Sequence, residues 1–149
     1  MSEDTFLQDV INIDVLSIDE QFKKVPAELA YYNQKYADAL EEHLIAKHDM
    51  ERAHANAYEW LSREHDSKGK KLTVAAIEAR IQLDEDYHNA KLNFIMKEAE
   101  KARLRGKVDV VSAKKEMLIS LGAHLRVEMS DPLVKAQVAG KRALLEPDY

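Results

Sequence analysis

Apolar residues recur with a helical period along much of the chain. Between Pro26 and Arg63, two sets of mainly apolar positions each repeat every seven residues and are offset from each other by three. The two sets are Leu29, Tyr36, His43, Met50 and Ala57, and Tyr32, Ala39, Ala46, Ala53 and Trp60. This repeat predicts a long helix with one apolar stripe, and its alanines allow a neighbouring helix to approach closely.

Signals near the start of the chain predict an arm, a short helix and a break at a proline. Residues 1–16 mix apolar side chains with carboxylates and are predicted to form an N-terminal docking arm or a short strand. Ser17 and Glu20 have capping-box spacing, in which the serine hydroxyl accepts from the glutamate amide, so a helix is predicted to begin there. We expect it to stop before Pro26, which suits the first turn of the next helix.

Farther along, the sequence predicts a loop and two more helical segments. Residues 65–71, His-Asp-Ser-Lys-Gly-Lys-Lys, are the clearest loop, and Thr73 is a candidate N-cap. The acidic residues 84–86 predict a break or a new helix start, because carboxylates favour the positive N-terminal end of a helix. The last long helix is predicted to run to about Met129, with a weak point at Gly106.

Together these elements predict an all-α fold, a long antiparallel helical hairpin with short flanking helices. The predicted domains are an N-terminal arm at residues 1–16, a hairpin domain at residues 17–130, and a C-terminal tail or short helix at residues 131–149. Asp131 and Pro132 are expected to end the hairpin. A lone hairpin leaves part of its apolar stripe uncovered, so we expect the chain to form a homo-oligomer through that stripe.

The composition agrees with few, long helices and argues against several classes of chemistry. The 149 residues include only four Gly and three Pro, while 46% are hydrophobic and 33% are charged. The chain has no Cys, which excludes disulfides and thiolate metal sites, and it shows neither a signal-peptide nor a membrane-span pattern. We therefore predict a cytoplasmic protein. Because the sequence has no phosphate-binding glycine loop and no organised nucleophile, we predict neither an enzyme nor a bound cofactor.

The net charge of −5 conceals a difference between the two parts of the chain. Residues 1–60 contain 13 acids and 5 bases, whereas residues 61–149 contain 14 acids and 17 bases. An acidic first part and a basic second part indicate different partners for each. Ordinary variation in charge between helical surfaces explains the same numbers equally well.

Basic and aromatic residues cluster around the predicted loop and on the last helix. Lysine and arginine can follow a phosphate backbone, and aromatic faces can stack on unpaired bases. The candidate nucleic-acid-binding residues are Tyr58, Trp60, Arg63, Lys68, Lys70, Lys71, Lys97, Lys101 and Arg105. The last three are spaced by four, so they share one helix face. Trp60 also lies on the apolar stripe, which favours core packing over base stacking for this side chain.

The order of these features resembles the UvsY-like recombination mediators of tailed bacteriophages over residues 12–127. The matching features are a capped short helix, a long helix with an aromatic end, a basic loop, a short segment and a long closing helix. The residues that carry them are Asp14, Ile18, Asp19, residues 58–61 (Tyr-Glu-Trp-Leu), residues 73–80 and residues 111–123.

The resemblance implies a non-enzymatic accessory protein that forms ring-like homo-oligomers and binds single-stranded DNA. It also implies help for a RecA-like recombinase in displacing single-strand-binding protein, and a host-cell cytoplasmic location for a phage-encoded chain. Where the family has a Lys-x-Arg pair before the aromatic end of the long helix, this chain has Ala55, Asn56 and Ala57. DNA contact is therefore expected at Arg63, at the loop lysines or on the closing helix.

Two alternatives use the same helices differently. The first is a protein–protein interaction or assembly module that buries the apolar stripe without binding nucleic acid. The second is a di-metal carboxylate bundle, because Glu51 and His54, and likewise Glu85 and His88, have the Glu-x-x-His spacing that such bundles use. Solvated residues on helix surfaces explain both motifs more simply, and the sequence offers no intervening helix to donate the bridging carboxylates.

Overall fold

A computed structural model of the chain describes residues 17–128 together with residues 130, 133, 136, 137, 139 and 140. In this part of the chain the long elements are helices, and the prediction of an all-α fold is confirmed. The helices are α1 (Ile18–Ser62), α2 (Val74–Ile81) and α3 (Glu85–Glu128). Searched over the same residues, none of them has a stretch long and apolar enough to cross a membrane.

Some predicted features lie outside the described residues. These are the arm at residues 1–16, the helix end at Asp131 and Pro132, and most of the tail that follows. The last helix is described to Glu128, and its predicted end at Met129 lies outside the described residues.

The described residues form two compact units, which we name by their place in the sequence. The central unit comprises Tyr31–Val108, and the terminal unit comprises the described residues up to Ala30 and from Asp109 onwards. Because α1 and α3 each contribute to both units, the two long helices pack on one another within each of them.

The hairpin of the central unit is antiparallel, as predicted. The guanidinium of Arg105 on α3 lies 5.6 Å from the centroid of the Tyr36 ring on α1. Farther along α1, the ring of His54 meets that of Tyr87 edge to face, with centroids 5.7 Å apart. As residue numbers rise along α1, those of its partners on α3 fall, which is the relation that an antiparallel pair requires.

The predicted apolar stripe of α1 supplies most of the buried surface that α1 contributes to the central unit. Its buried members are Ala39, His43, Ala46 and Ala57. Met50 and Ala53, also on the stripe, are half-buried and pack against the core. Small side chains at four of these six positions allow α3 to approach the α1 backbone closely.

The short helix α2 completes the core of the central unit. Its residues Ile77 and Ile81 are buried in one cluster with Ala57 and Leu61 of α1 and Tyr87 of α3. Eight residues are too few for a helix to be stable alone in water, because most helical stability in a protein comes from packing of an apolar face. Packing of the two isoleucines therefore holds α2 in place.

Both helix starts after the loop are capped by a side chain, as predicted at Thr73, and the new helix start predicted at residues 84–86 is present. The hydroxyl of Thr73 accepts a hydrogen bond from the amide of Ala76 at 3.2 Å, and α2 begins at the next residue. The carboxylate of Asp84 accepts from the amide of Tyr87 at 2.9 Å, and α3 begins directly after it. Each side chain satisfies an amide that the first turn of a helix leaves without an intrahelical partner.

The predicted helix break before Pro26 is wrong. The helix that begins at Ile18, directly after Ser17, continues through Pro26 to Ser62. Proline cannot donate the backbone hydrogen bond expected of an interior helical residue, which usually ends or kinks a helix. Here the preceding residue, Val25, is buried in the terminal unit. Packing of the residues that precede the proline compensates for the lost hydrogen bond, because Ile18 is also buried and the Phe22 ring packs beside Gly122 of α3.

The terminal unit has its own small core. Val111, Lys114 and Leu118 are buried and, at spacings of three and four, share one face of α3. The ammonium of Lys114 lies 3.9 Å from the carboxylate of Glu28 on α1, so this buried charge has a partner of opposite sign.

Helix α3 runs through Gly106 without interruption, so the predicted weak point does not break the helix. Replacing Gly106 by Ala is expected to raise the free energy of unfolding by about 0.5–1 kcal/mol, since alanine loses less backbone entropy in a helix. A methyl group there would meet no atom within 4 Å. Urea denaturation followed by circular dichroism measures the change, and a loss of stability would show that Gly106 is needed for close packing.

Candidate nucleic-acid interface

The loop between α1 and α2 is a folded turn. One carboxylate oxygen of Asp66 accepts hydrogen bonds from the amides of Lys68 and Lys70, each at 2.9 Å. Gly69 has a positive φ of 73°, which a residue without a side chain adopts easily. A backbone bridge between His65 and Lys71 closes the turn.

This turn holds Lys68, Lys70 and Lys71 on the surface, where all three are exposed. Within residues 17–128 none of their ammonium groups is joined to a carboxylate in an ion pair. Three exposed ammonium groups within four residues suit the spaced phosphates of an extended strand. The loop is therefore the part of the predicted interface that the structure keeps accessible.

The two aromatic residues predicted for base stacking lie in different surroundings. The ring of Tyr58 stacks on the imidazole of His54 at 6.4 Å, and Tyr58 packs against the core cluster. Trp60 is 63% exposed, so the core position that the repeat predicts for it is wrong. The neighbouring Leu61 takes that position and packs with Ile77, because α2 covers the adjacent face of this end of α1.

Trp60 lines an open groove, which we call the Trp60 groove. Its walls are Asp49, Arg52, Ala53, Asn56, Ala57 and Trp60 of α1, with Asp84 and Asp86 at the start of α3. Its volume is about 350 Å³. With three carboxylates and one guanidinium, it repels phosphate, so the tryptophan is poorly placed to stack on a nucleic acid.

The spacing of residues in the sequence also indicates the α1 side of this groove, but we considered only the apolar repeat of α1 in predicting the position of Trp60. Asp49, Arg52, Asn56 and Trp60 follow one another at spacings of three and four, so they lie along one face of α1. Polar residues on that face, followed by an aromatic side chain near the helix end, could have been recognised before the structure was known.

The remaining basic candidates contact α1. The ammonium of Lys97 bonds the carboxylate of Glu42 at 2.6 Å, and that of Lys101 lies 3.4 Å from Nδ1 of His43. Arg105 lies over the Tyr36 ring, as described above. The predicted alignment on one helix face is present, but these cations join the two helices of the central unit.

The environment of Lys97 has a consequence for its charge. The hydrogen bond that Lys97 donates to Glu42, and the attraction of the negative charge of Glu42, raise the pKa of Lys97 above the ordinary lysine value. The side chain is therefore charged at neutral pH. Because the pKa of Lys97 is higher in the folded state than in the unfolded state, its pairing with Glu42 stabilises the fold fully at pH values below the unfolded-state pKa. This stabilisation is lost as the pH rises through the folded-state pKa.

Arg63 bonds the carboxylate of Glu59 one turn earlier on α1. Both side chains are well exposed, so the pair is weak and a phosphate can compete for the guanidinium. Arg63 also follows α1 directly, which places it next to the loop lysines in the sequence.

The two side chains of the first Glu-x-x-His motif, Glu51 and His54, have different partners. Nε2 of His54 lies 3.0 Å from a carboxylate oxygen of Glu78, while Glu51 pairs with Lys47 at 3.9 Å. Among the described residues no three potential ligands converge closely enough to hold a metal ion. The structure thus gives the di-metal alternative no ligand set in that part of the chain.

Comparisons with known proteins add no relative. No protein-family model, no curated protein and no solved structure matches the chain. The fold and side-chain geometry define the class of protein as an all-α chain whose two long helices form an antiparallel pair in the central unit. Its functional assignment rests on that geometry and on the pattern of the sequence.

Proposed function

We propose that this chain is a non-enzymatic recombination mediator that binds single-stranded DNA. The observation that supports binding is the turn closed by Asp66, which presents Lys68, Lys70 and Lys71 without an acidic partner among residues 17–128. Their spacing suits backbone phosphates, which give affinity without sequence preference. Arg63 completes the interface, whereas Lys97, Lys101 and Arg105 keep the two long helices together.

The mediator role comes from the resemblance to UvsY-like proteins. In that role the chain forms a homo-oligomer and helps a RecA-like recombinase to replace single-strand-binding protein on the strand, in the cytoplasm of the host cell. A ring of copies would present several basic loops to one strand, so weak individual contacts would combine into useful affinity. This explains how a chain with a net charge of −5 binds DNA.

Reversing the charge of the loop tests the proposal. In the variant Lys68→Glu, Lys70→Glu, Lys71→Glu, binding to a fluorescent single-stranded oligonucleotide is expected to disappear near 0.1 M salt. Because about 0.7 counterions are released per phosphate contact, loss of three contacts lowers the salt slope by about two. Fluorescence anisotropy over a salt series measures both quantities.

A matched control separates the loop from net charge. Lys23, Lys24 and Lys115 are also exposed, so their triple reversal to Glu changes the charge equally at another surface. This control is expected to retain most of the binding. Equal losses in the two variants, or no binding by the unmodified chain at low salt, would overturn the assignment of the interface.

The second candidate function is a helical protein–protein interaction module. The observation that favours it is a set of exposed apolar side chains on the long helices of the central unit. These are Leu44 and Ile45 on α1 and Leu92, Ile95 and Met96 on α3. An oligomer that keeps its mass but binds no DNA would support this module, because the same helices associate without using the loop.

A further inference from the structure

The Trp60 groove offers a binding surface that DNA binding leaves unused. Trp60 is the one tryptophan in the chain, and its 63% exposure leaves a large apolar ring at the edge of a cavity. Isolated exposed apolar residues need no explanation. An exposed indole beside a cavity with several carboxylates is a different case, because both features attract the same kind of ligand.

Electrostatics decide which ligand that is. The carboxylates of Asp49, Asp84 and Asp86 outnumber the single guanidinium of Arg52 on the walls of the groove. An excess of negative charge favours a cation over a nucleic acid or an acidic peptide. A cation also interacts favourably with the face of an indole, and tryptophan is the best aromatic residue for this contact.

The arrangement of the carboxylates and the size of the groove further limit which cation it can bind. Within the described residues, the three aspartates are not part of a group that could hold a metal ion. The cavity of about 350 Å³ is at the lower end of the range for small-molecule sites. Separate negative charges around a small groove suit one or two long cationic side chains from a peptide segment.

We propose that the Trp60 groove is a docking site for an arginine-bearing segment of a partner protein, with the indole against a guanidinium and the aspartates as its ion-pair partners. Arginine fits better than lysine because its planar guanidinium both stacks on an aromatic face and bonds a carboxylate through two N–H groups. Asp84 is fixed by its hydrogen bond to the Tyr87 amide, so at least one carboxylate is held in position before binding.

The single tryptophan makes the groove directly observable. A hexa-arginine peptide added to the full chain at low salt is expected to produce a saturable change in Trp60 fluorescence. Hexa-glutamate is expected to produce none. In the variant Asp49→Asn, Asp86→Asn the apparent Kd for hexa-arginine rises by about fivefold to tenfold, because two partly exposed ion pairs are lost.

The matched control removes two charges elsewhere in the central unit. Glu41 and Glu98 are exposed, and Glu41→Gln, Glu98→Gln changes the net charge by the same amount. Its Kd is expected to stay within about twofold of the unmodified value, because the groove itself is intact. A Trp60→Leu variant, followed with fluorescein-labelled hexa-arginine, is expected to bind more weakly because the cation–π contact is gone.

Several results would overturn this assignment. One is the absence of a saturable change with hexa-arginine, and another is an equal loss of affinity in the groove and control variants. A fluorescence change that follows protein concentration alone would identify a second copy of the chain as the occupant. Tighter oligonucleotide binding by the Asp49→Asn, Asp86→Asn variant, with the same fluorescence change, would assign the groove to DNA.

The test is independent of the proposed DNA interface. The loop variant Lys68→Glu, Lys70→Glu, Lys71→Glu keeps the groove intact and is expected to bind hexa-arginine at least as tightly as the unmodified chain. Loss of oligonucleotide binding together with retained peptide binding would therefore support both assignments. Loss of peptide binding in this variant would contradict the groove as the peptide site.

Discussion

Replacing Ile81 by Ala is expected to lower the free energy of unfolding by about 2–5 kcal/mol. Ile81 is wholly buried and packs in the cluster that joins α2 to both long helices. Removing its outer atoms loses burial of apolar surface and leaves a cavity beside Leu61 and Tyr87. Urea denaturation followed by far-ultraviolet circular dichroism measures the loss.

A neighbouring leucine provides the control. Leu83 is 86% exposed and lies two residues after Ile81, so Leu83→Ala removes a similar apolar volume from the surface. Its effect is expected to stay within about 0.5 kcal/mol. A similar loss in both variants would mean that α2 contributes little to the core of the central unit.

Displacement of α2 would also affect the proposed DNA interface. The loop of residues 65–71 is joined to the rest of the central unit by α1 on one side and α2 on the other. If Ile81→Ala releases α2, the turn closed by Asp66 keeps only one of its two fixed ends and becomes less ordered in the free protein. Binding DNA must then order the turn at a cost in conformational entropy, so DNA affinity should fall along with stability.

Much of the fold was predictable because long amphipathic helices have a strong periodic signal. The end of α1 and the starts of α2 and α3 follow from local chemistry at Thr73 and Asp84 and from the composition of the loop. Residues that usually interrupt helices gave wrong or weak indications where tertiary packing stabilises the helix. Pro26 and Gly106 are poor residues for a helix interior, yet α1 and α3 continue through them because the surrounding residues pack on the other long helix.

The candidate site was less predictable, since spacing gives the face of a helix and not its neighbours. The repeat placed Trp60 in the core, but α2 covers the adjacent face and buries Leu61 in its place. Likewise, the spacing of Lys97 and Lys101 correctly placed them together on α3. Only the structure shows that they point toward Glu42 and His43 of α1.

Replacing Leu118 by Ala is the other change for which we expect a loss of about 2–5 kcal/mol. Leu118 is wholly buried in the terminal unit, while its neighbour Met117 is 53% exposed. The variant Met117→Ala therefore provides a control of similar volume at the next residue, and its effect is expected to be small because little burial is lost.

Amide hydrogen exchange locates the loss of stability along the chain. Because the terminal unit is a compact unit of its own, Leu118→Ala should speed amide exchange in residues 17–30 and 109–128 more than in residues 31–108. Ile81→Ala, which alters the central unit, should show the opposite distribution. Mass spectrometry of the proteolytic fragments measures both patterns. An equal increase in exchange rate across residues 17–128 in either variant would mean that the two units unfold together, because the loss of packing in one unit would then destabilise both.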